Sequence, residues 1–418
     1  MSNRIPPEES IETGYSWLVA FASLVTLALA MGANYLAIVG VPFFERDMGW
    51  SRSAATAVYT ATTLGAGVGG IVMGYVAARL GVQRALILAA AAIAAGGALA
   101  AQADTLPELL APIFLLVGMV GMGCGFAPLI ANVTLWFDRR RGLAISVVAC
   151  GQTVAGAIWN VVFEPAIVEH GWRDVYTAYG LFAAAAIVPL SFVHRRPPPE
   201  LLRLRAAAAS ATPGAPPPPR TTPDIDPVWL TLLLGMAIVG CCVAMSMPMA
   251  QMVAYCATLG YGTAMGAKIA SLLLICSGVS RLGFGLVSDR IGGLNTILIG
   301  ASLQAMALSL FIFFDSQDQL LLISAMFGLV FGGIVPAYGL AVRELFPARQ
   351  AQTRTGVVYF FGYIGMGGGG LVGGVVFDVT LSYPTAFGVG VAFNLVNIAL
   401  ILFIKALARA RAPLPAAA

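Results

Sequence analysis

The stretch GLVSDRIG, residues 285 to 292, closes a long apolar segment, and a weaker copy, GYVAARLG, occupies residues 74 to 81. Both follow the pattern G-x-V-x-x-R-x-G, and their offset is 285 − 74 = 211 residues. RRRGLAIS at 139 to 146 and RTGVVYFF at 354 to 361 repeat at nearly the same offset, 356 − 142 = 214 between their glycines. Repeats at one spacing predict a chain of two similar halves.

The composition indicates lipid as the solvent for most of this chain. Of its 418 residues, 59% are hydrophobic and only 10% are charged, with a mean hydropathy of +0.87. Soluble domains are about a quarter charged. A bilayer core takes about 20 apolar residues per helix, and lipid admits only helices or closed barrels, whose short alternating strands are missing here. The predicted fold is an all-α membrane protein, with spans near 17–43, 54–78, 84–103, 108–136, 142–166, 175–194, 228–258, 263–287, 294–314, 319–343, 355–379 and 384–406.

A proline-rich, basic stretch separates the two predicted six-helix bundles. We assign residues 1–195 to the first bundle, 196–227 to a cytoplasmic linker and 228–418 to the second bundle. The linker composition predicts a semi-rigid or disordered spacer, with docking of a partner as the alternative.

Charge placement predicts the topology. The net charge is +4, and most of the 23 basic residues fall on one side if both termini are cytoplasmic. We therefore expect a multi-pass protein of a bacterial-type cytoplasmic (inner) membrane, with the first apolar run retained as helix 1 rather than cleaved as a signal peptide. The basic excess indicates topology and not nucleic-acid binding.

Cysteine and histidine usage speaks against a metal site. All six cysteines fall inside predicted helices without a C-x-x-C pair, and the chain has two histidines. We predict no disulfide framework, no metal and no cofactor.

The repeated loop resembles the G-x-x-x-D-R-x-G signature of the major facilitator superfamily. The second copy is complete in Gly285, Asp289, Arg290 and Gly292, whereas the first has Ala78 where the family has Asp. The resemblance implies two six-helix bundles that rock about a central cavity, and a charge-paired cytoplasmic gate that lacks one acid. The other signature residues of the first copy are Gly74, Arg79 and Gly81.

Other stretches resemble the monocarboxylate porter and oxalate/formate antiporter branch of that family. The stretch SRLGFGLVSDRIG at 280 to 292 is similar to the segment whose arginine binds a substrate carboxylate, which implies this role for Arg281. Two departures are Ser277, where monocarboxylate porters carry Asp, and Gly362, where oxalate transport uses a second basic residue. One cation favours one carboxylate and argues against oxalate. The remaining similar stretches are GYSW at 14 to 17, WFDRRRGLAISVVACGQ at 136 to 152 and FDVTLSYPTAF at 377 to 387.

Arg281 itself permits two interpretations. It lies six residues inside its predicted helix, about 9 Å below the boundary, and intramembrane charges are expensive and mostly functional. Its guanidinium either snorkels to the headgroups or pairs with Asp289, or it points into the cavity as a clamp for an anion.

Further polar residues are candidates for the same site. Tyr359 and Tyr363 bracket Arg281 in depth and offer hydroxyl donors. For each of the others, an interhelical hydrogen bond or an interfacial aromatic is an equal alternative. They are Asn34, Tyr35, Gln152, Asn160, Gln251, Tyr255 and Tyr338.

Two acidic residues near the outer helix ends, Glu164 and Asp378, are candidate proton carriers, with a solvated interfacial position as the alternative.

These observations predict a secondary transporter of a small organic anion, a monocarboxylate, that works by alternating access, with coupling to protons left open. No G-x-x-x-x-G-K-[ST] loop is present, so ATP does not drive it directly. The alternatives are a multidrug or metabolite efflux antiporter and an organic-anion exchanger. We expect a monomer that is not an enzyme, with the carboxylate, the bilayer and protons as its partners.

Overall fold

Twelve helices long and apolar enough to cross a membrane occur in the computed structural model, which describes residues 10 to 209 and 226 to 410. Their bounds agree with the predicted spans to within seven residues, which confirms the all-α fold. They are α1 Gly14–Met48, α2 Arg52–Leu80, α3 Val82–Ala101, α4 Leu106–Val133, α5 Arg141–His170, α6 Trp172–Ser191, α7 Pro227–Thr258, α8 Thr263–Ile291, α9 Gly293–Phe313, α10 Gln317–Leu345, α11 Ala348–Thr380 and α12 Tyr383–Ala410.

The two halves, α1 to α6 and α7 to α12, repeat at the signature loops. Gly81 separates α2 from α3 with φ 89°, and Gly292 separates α8 from α9 with φ 84°. Each glycine donates its N–H back into the helix that it ends, to Ala77 and Ser288 respectively. A positive φ favours glycine because a side chain would clash with the backbone. The last glycine of each signature copy is therefore a helix terminator.

One helix in each half is interrupted near the middle of the bundle. In α4 the chain passes through a π-helical stretch, Ile113–Gly121, and one 3-10 turn, Met122–Cys124. In α10 the helix breaks at Gly332 and Gly333, where a Cβ on Gly332 would overlap the carbonyl of Ser277 on α8. Small residues permit this close approach of two helices.

The described part of the predicted linker contains a helix. Pro199–Ala209 forms a short linker helix, which its proline-rich surroundings did not predict; the predicted linker residues 210 to 225 lie outside the described residues. Glu200 of this helix accepts hydrogen bonds from Arg141 of α5 and Arg343 of α10. The linker helix is thus tied to both halves.

The halves meet along two seams, α5 with α8 and α2 with α11. Both seams lie towards the face at which α1 begins and α12 ends, which we call the terminal face. On the first seam, a Cβ on Gly285 would lie 2.6 Å from the hydroxyl of Ser146, and one on Gly278 would lie 3.0 Å from Thr153. On the second, a Cβ on Gly74 would lie 3.1 Å from the carbonyl of Gln352. Glycines therefore bring the halves into backbone contact at the terminal face.

Candidate functional site

A cavity of about 370 Å³ begins where the two seams end and extends towards the opposite face. This volume lies at the lower end of the roughly 300 to 1,000 Å³ that ligand pockets occupy, which suits a small substrate. The first half contributes Tyr35, Phe126, Gln152, Thr153, Gly156, Ala157 and Asn160. The second half contributes Ile238, Cys242, Met245, Met249, Ser271, Leu274, Ile275, Ser277, Arg281, Phe331, Gly332, Val335, Tyr359, Gly362, Tyr363 and Met366.

Arg281 reaches from α8 across the cavity floor to the other half of the molecule. Its Nη1 donates to the carbonyl oxygen of Ala149 at 2.7 Å, and its Nη2 donates to Oε1 of Gln152 at 3.2 Å. Its Nε is buried and has no hydrogen-bond partner within the described part of the chain. Arg281 is therefore both a tie between the halves and an incompletely satisfied cation.

The electrostatics of the cavity favour an anion. Among the described residues that line it, Arg281 alone carries a charge. A guanidinium has five N–H donors, and a buried donor left without a partner costs about 1–3 kcal/mol. A bound carboxylate would supply the missing acceptor and the missing negative charge together.

Asp289, the partner considered for Arg281 in the alternative interpretation, is engaged elsewhere. Its carboxylate accepts from the backbone N–H of Gly142 at 2.5 Å and of Leu143 at 3.0 Å, in the first turn of α5. These amides have no partner within their own helix, and a helix N-terminus favours negative charge. The carboxylate of Asp289 therefore stabilises the α5–α8 seam and does not pair with Arg281.

Tyrosine side chains lie at about the depth of Arg281 in the bundle. Tyr359 is buried, donates to the carbonyl of Val335 at 3.3 Å, and packs edge-on against Phe126 at 5.0 Å between ring centroids. Tyr35 donates to the carbonyl of Gln152 at 3.4 Å. The structure therefore brings six of the predicted site residues to the cavity: Arg281, Tyr359, Tyr363, Tyr35, Gln152 and Asn160.

Two predicted amides lie outside the cavity lining. Asn34 accepts from the hydroxyl of Thr63 at 3.1 Å, which joins α1 to α2 within the first half. Gln251 donates to the carbonyl of Gly370 at 3.0 Å, which joins α7 to α11 within the second. Both make the interhelical hydrogen bonds of the alternative interpretation, because a polar group in lipid takes a partner on a neighbouring helix.

Two predicted tyrosines also belong to helix packing within the second half. Tyr255 is buried against Tyr383, with 5.2 Å between ring centroids. Tyr338 is fully buried and donates to Oδ1 of Asn397 at 2.7 Å. Neither hydroxyl reaches the cavity lining, since each lies on the side of its helix that packs against α12.

The two candidate proton carriers, Glu164 and Asp378, are exposed near the ends of α5 and α11 and are absent from the described cavity lining. Their positions fit the solvated alternative.

The first signature copy forms no contact equivalent to that of Asp289. Ala78 and Arg79 are exposed, and Arg79 lies over the ring of Tyr75, with 4.6 Å between the guanidinium carbon and the ring centroid. Arg290 of the second copy is exposed too. The α2–α11 seam is held by glycine packing at Gly74.

Comparison with known proteins identifies the family. The model of the Major Facilitator Superfamily matches residues 22–317 and 232–418. This chain is a member of the Major Facilitator Superfamily. The family and fold are those of transporters, which are not enzymes.

Relatives of this superfamily member include a monocarboxylate transporter. Monocarboxylate transporter 13 of Rattus norvegicus is 23% identical over 400 residues, which cover 94% of this chain and 89% of that protein. The MFS transporter asaE of Aspergillus flavus is 25% identical over 255 residues, 59% of this chain and 53% of that protein, so the match spans about half of its length. FucP of E. coli, crystallised in the outward conformation, shares the fold, with 16% identity, a TM-score of 0.66, and coverage of 93% of this chain and 99% of that chain.

Sequence reasoning missed the apolar side of the superfamily cavity. Ile238, Cys242, Met245 and Met249 of α7 line it, and their spacing of four, three and four residues places them on one face of the helix. That spacing could not identify the cavity-lining face from the sequence, because α7 is apolar around most of its circumference and the hydrophobic pattern shows no preferred face.

Proposed function

We propose that this superfamily member is a secondary active transporter that carries a small organic monocarboxylate across the membrane by alternating access. The observation that carries the proposal is Arg281, the one charge among the described lining residues, whose buried Nε has no partner. A planar guanidinium matches a carboxylate bidentately, and one such group matches one carboxylate.

The neighbours of Arg281 support a single-carboxylate substrate. Gly362, at the position of the second basic residue in oxalate transport, lines the cavity without a side chain, so this position supplies no second cation. Ser277 donates its hydroxyl to the carbonyl of Leu274 at 2.8 Å and supplies no acid beside the arginine. The hydroxyl of Tyr363 and the amide of Asn160 line the cavity and are suited to the remaining carboxylate oxygen or to polar groups of the substrate.

The arginine also offers a link between binding and movement. Arg281 of the second half is bonded to Ala149 and Gln152 of the first half. A carboxylate that takes up guanidinium donors competes with these inter-half bonds, so binding alters what holds the halves together. Differential contacts of this kind are what a ligand needs to shift a conformational equilibrium.

We place the terminal face in the cytoplasm, on the basis of its basic residues, in a bacterial-type inner membrane. In that orientation the seams close the cavity to the cytoplasm, so we infer an outward-facing conformation, and we propose that the protein acts as a monomer.

The test is binding and flux with purified protein. We expect labelled monocarboxylates to enter proteoliposomes and to raise the melting temperature of the protein in detergent, whereas the corresponding primary amides do neither. Arg281→Ala and Arg281→Lys should both lose the carboxylate-dependent stabilisation, because a lysine lacks the bidentate fork. Arg84→Lys, at an exposed site on α3, is the matched control and should behave as wild type.

Unchanged carboxylate binding in either Arg281 variant would refute the clamp. Flux that runs only outward, or only against a second organic anion, would favour the alternatives of an efflux transporter or an organic-anion exchanger. A change in internal pH during flux would reveal proton coupling.

A further inference from the structure

The walls of the cavity differ in chemistry. The first half presents the polar side chains of Tyr35, Gln152, Thr153 and Asn160. The second half presents Arg281 at the floor and, on α7 and α11, an apolar strip that includes three methionines. We call Met245, Met249 and Met366 the methionine wall.

The methionine wall lies farther from the terminal face than the arginine. A Cβ on Gly362 would lie 3.2 Å from Ile238 and 3.7 Å from Cys242, which places these two residues beside the Tyr359–Tyr363 level that brackets Arg281. From Cys242, Met245 and Met249 follow on the same face of α7, at about 1.5 Å of rise per residue. Met366 follows Tyr363 by one turn on α11, in the same direction. The strip therefore begins beside the charge and leads away from it.

Burial shows that the end of the strip farthest from Arg281 is available to a ligand. Met249 and Met366 are half-buried, whereas Ile238, Cys242 and Met245 are buried and present little surface to the cavity. A methionine side chain is flexible and polarisable, so it adapts to apolar groups of different shape. A polar acid of two or three carbons would bind the arginine and leave this wall without a partner.

We propose that the substrate is an amphipathic monocarboxylate, with its carboxylate on Arg281 and an apolar hydrocarbon body along the methionine wall. This inference rests on the proposed function and deepens it, since it specifies the part of the substrate that the arginine does not hold. The polar wall of the first half takes hydroxyl or carbonyl groups along one edge of that body.

The test compares straight-chain acids of increasing length. Dissociation constants for butanoate, hexanoate and octanoate are measured by calorimetry with purified protein in detergent. We expect the affinity to rise about fourfold for each added methylene, because each buried methylene contributes about 0.8 kcal/mol. Arg281→Ala, titrated in the same detergent, corrects for partition of the longer acids into the micelle.

Two variants locate the apolar contact. Met366→Gln keeps the length of the side chain and makes it polar, so it should lower octanoate affinity at least fivefold and leave butanoate affinity within twofold. Met236→Gln is the matched control, since Met236 is an exposed methionine of α7 outside the described cavity lining. It should leave the whole series unchanged.

The outcomes separate this inference from the proposed function. Equal affinity for all three acids, with all binding lost in Arg281→Ala, would overturn the apolar body and leave the carboxylate clamp standing. A steep chain-length series that Met366→Gln does not flatten would overturn the methionine wall. No binding of any acid would overturn the proposed function itself.

Discussion

The two seams that close the terminal face are related by the internal repeat and are held in different ways. The α5–α8 seam combines two features. Gly285 of α8 packs closely against α5, and the carboxylate of Asp289 of α8 accepts hydrogen bonds from the first turn of α5. The α2–α11 seam has glycine packing at Gly356 and Gly74, and Ala78 stands where the acid would be.

The starting points of the two partner helices explain this difference. α5 begins at Arg141, so the N–H groups of Gly142 and Leu143 have no carbonyl within the helix to bind. The counterpart of Gly142 in the repeat is Gly356, since 356 − 142 = 214, but α11 already begins at Ala348. The N–H of Gly356 is therefore bonded inside its own helix. The acid is present where a free helix N-terminus is present, and absent where it is not.

The linker helix adds further charged contacts next to the α5–α8 seam. Glu200 contacts Arg141, next to Gly142, and also Arg343 of the second half. These three side chains are at least three-quarters buried, so water and salt screen their attraction less than at an open surface. The α5–α8 seam thus adds ionised groups to glycine packing, whereas the α2–α11 seam relies on glycine packing, and four substitutions test that difference.

The largest effect is expected from Gly356→Ala on the uncharged seam. The added Cβ would overlap the carbonyl oxygen of Gly70, and two helix backbones must then move apart. We expect substrate flux in proteoliposomes to fall at least tenfold. Gly367→Ala is the matched control, because a Cβ at Gly367 of the same helix meets nothing within 4 Å. Wild-type flux in Gly356→Ala would show that backbone contact does not close this seam.

The next effect is expected from Asp289→Asn on the charged seam. A hydrogen bond to a charged group contributes about 1.5–3 kcal/mol, and the neutral amide retains a single oxygen acceptor for the two N–H groups. Amide hydrogen exchange of a peptide that contains Gly142 and Leu143 should accelerate about tenfold. Asp315→Asn, at an exposed site, should leave exchange unchanged. Equal exchange in Asp289→Asn and wild type would remove the carboxylate from the seam.

A smaller effect is expected from Glu200→Gln. The amide cannot form the ion pairs with Arg141 and Arg343, so the same peptide should exchange about threefold faster at low salt. The difference between variant and wild type should largely persist at 1 M salt, because ion pairs this buried are screened little. Glu169→Gln, at an exposed site on α5, serves as control. A difference that disappears at 1 M salt would show that these pairs are screened like pairs on an open surface, and would contradict this explanation.

The smallest effect is expected from Ala78→Asp, which completes the first signature copy. Because α11 offers no free amide at Gly356, the new carboxylate gains no partner there, and stability and flux should stay within about 0.5 kcal/mol and twofold of wild type. A clear rise in melting temperature or in protection of the α2–α11 seam would contradict our explanation of why the acid is missing.

Much of the fold follows from the amino-acid sequence because lipid leaves the chain few choices. Apolar runs in a bilayer must satisfy their own backbone, so twelve runs predict twelve helices. The signature glycines predict the helix ends at Gly81 and Gly292, where φ is positive. A single intramembrane cation predicts that Arg281 has a partner or a function, because an isolated charge in lipid is expensive, but it left the snorkelling and the cavity interpretations both open.

The rest of the site could not be predicted from the sequence, because the direction of each side chain depends on how its helix is rotated against the neighbouring helices. Tyr359 and Tyr338 are both tyrosines in apolar helices, yet Tyr359 lines the cavity and Tyr338 binds Asn397 of α12. A helix that is apolar on all sides has no periodic pattern to distinguish these faces.

The sequence by itself determined the helices, the repeat, the signature loops and the presence of one buried cation, since these depend on local composition and on the solvent. Only the tertiary structure decided what that cation touches and how the seams close. Arg281 meets Ala149 and Gln152 from the other half, and Asp289 meets a helix start whose position differs between the repeats. Such contacts join residues more than a hundred positions apart, and they depend on helix start points and rotations that packing alone sets.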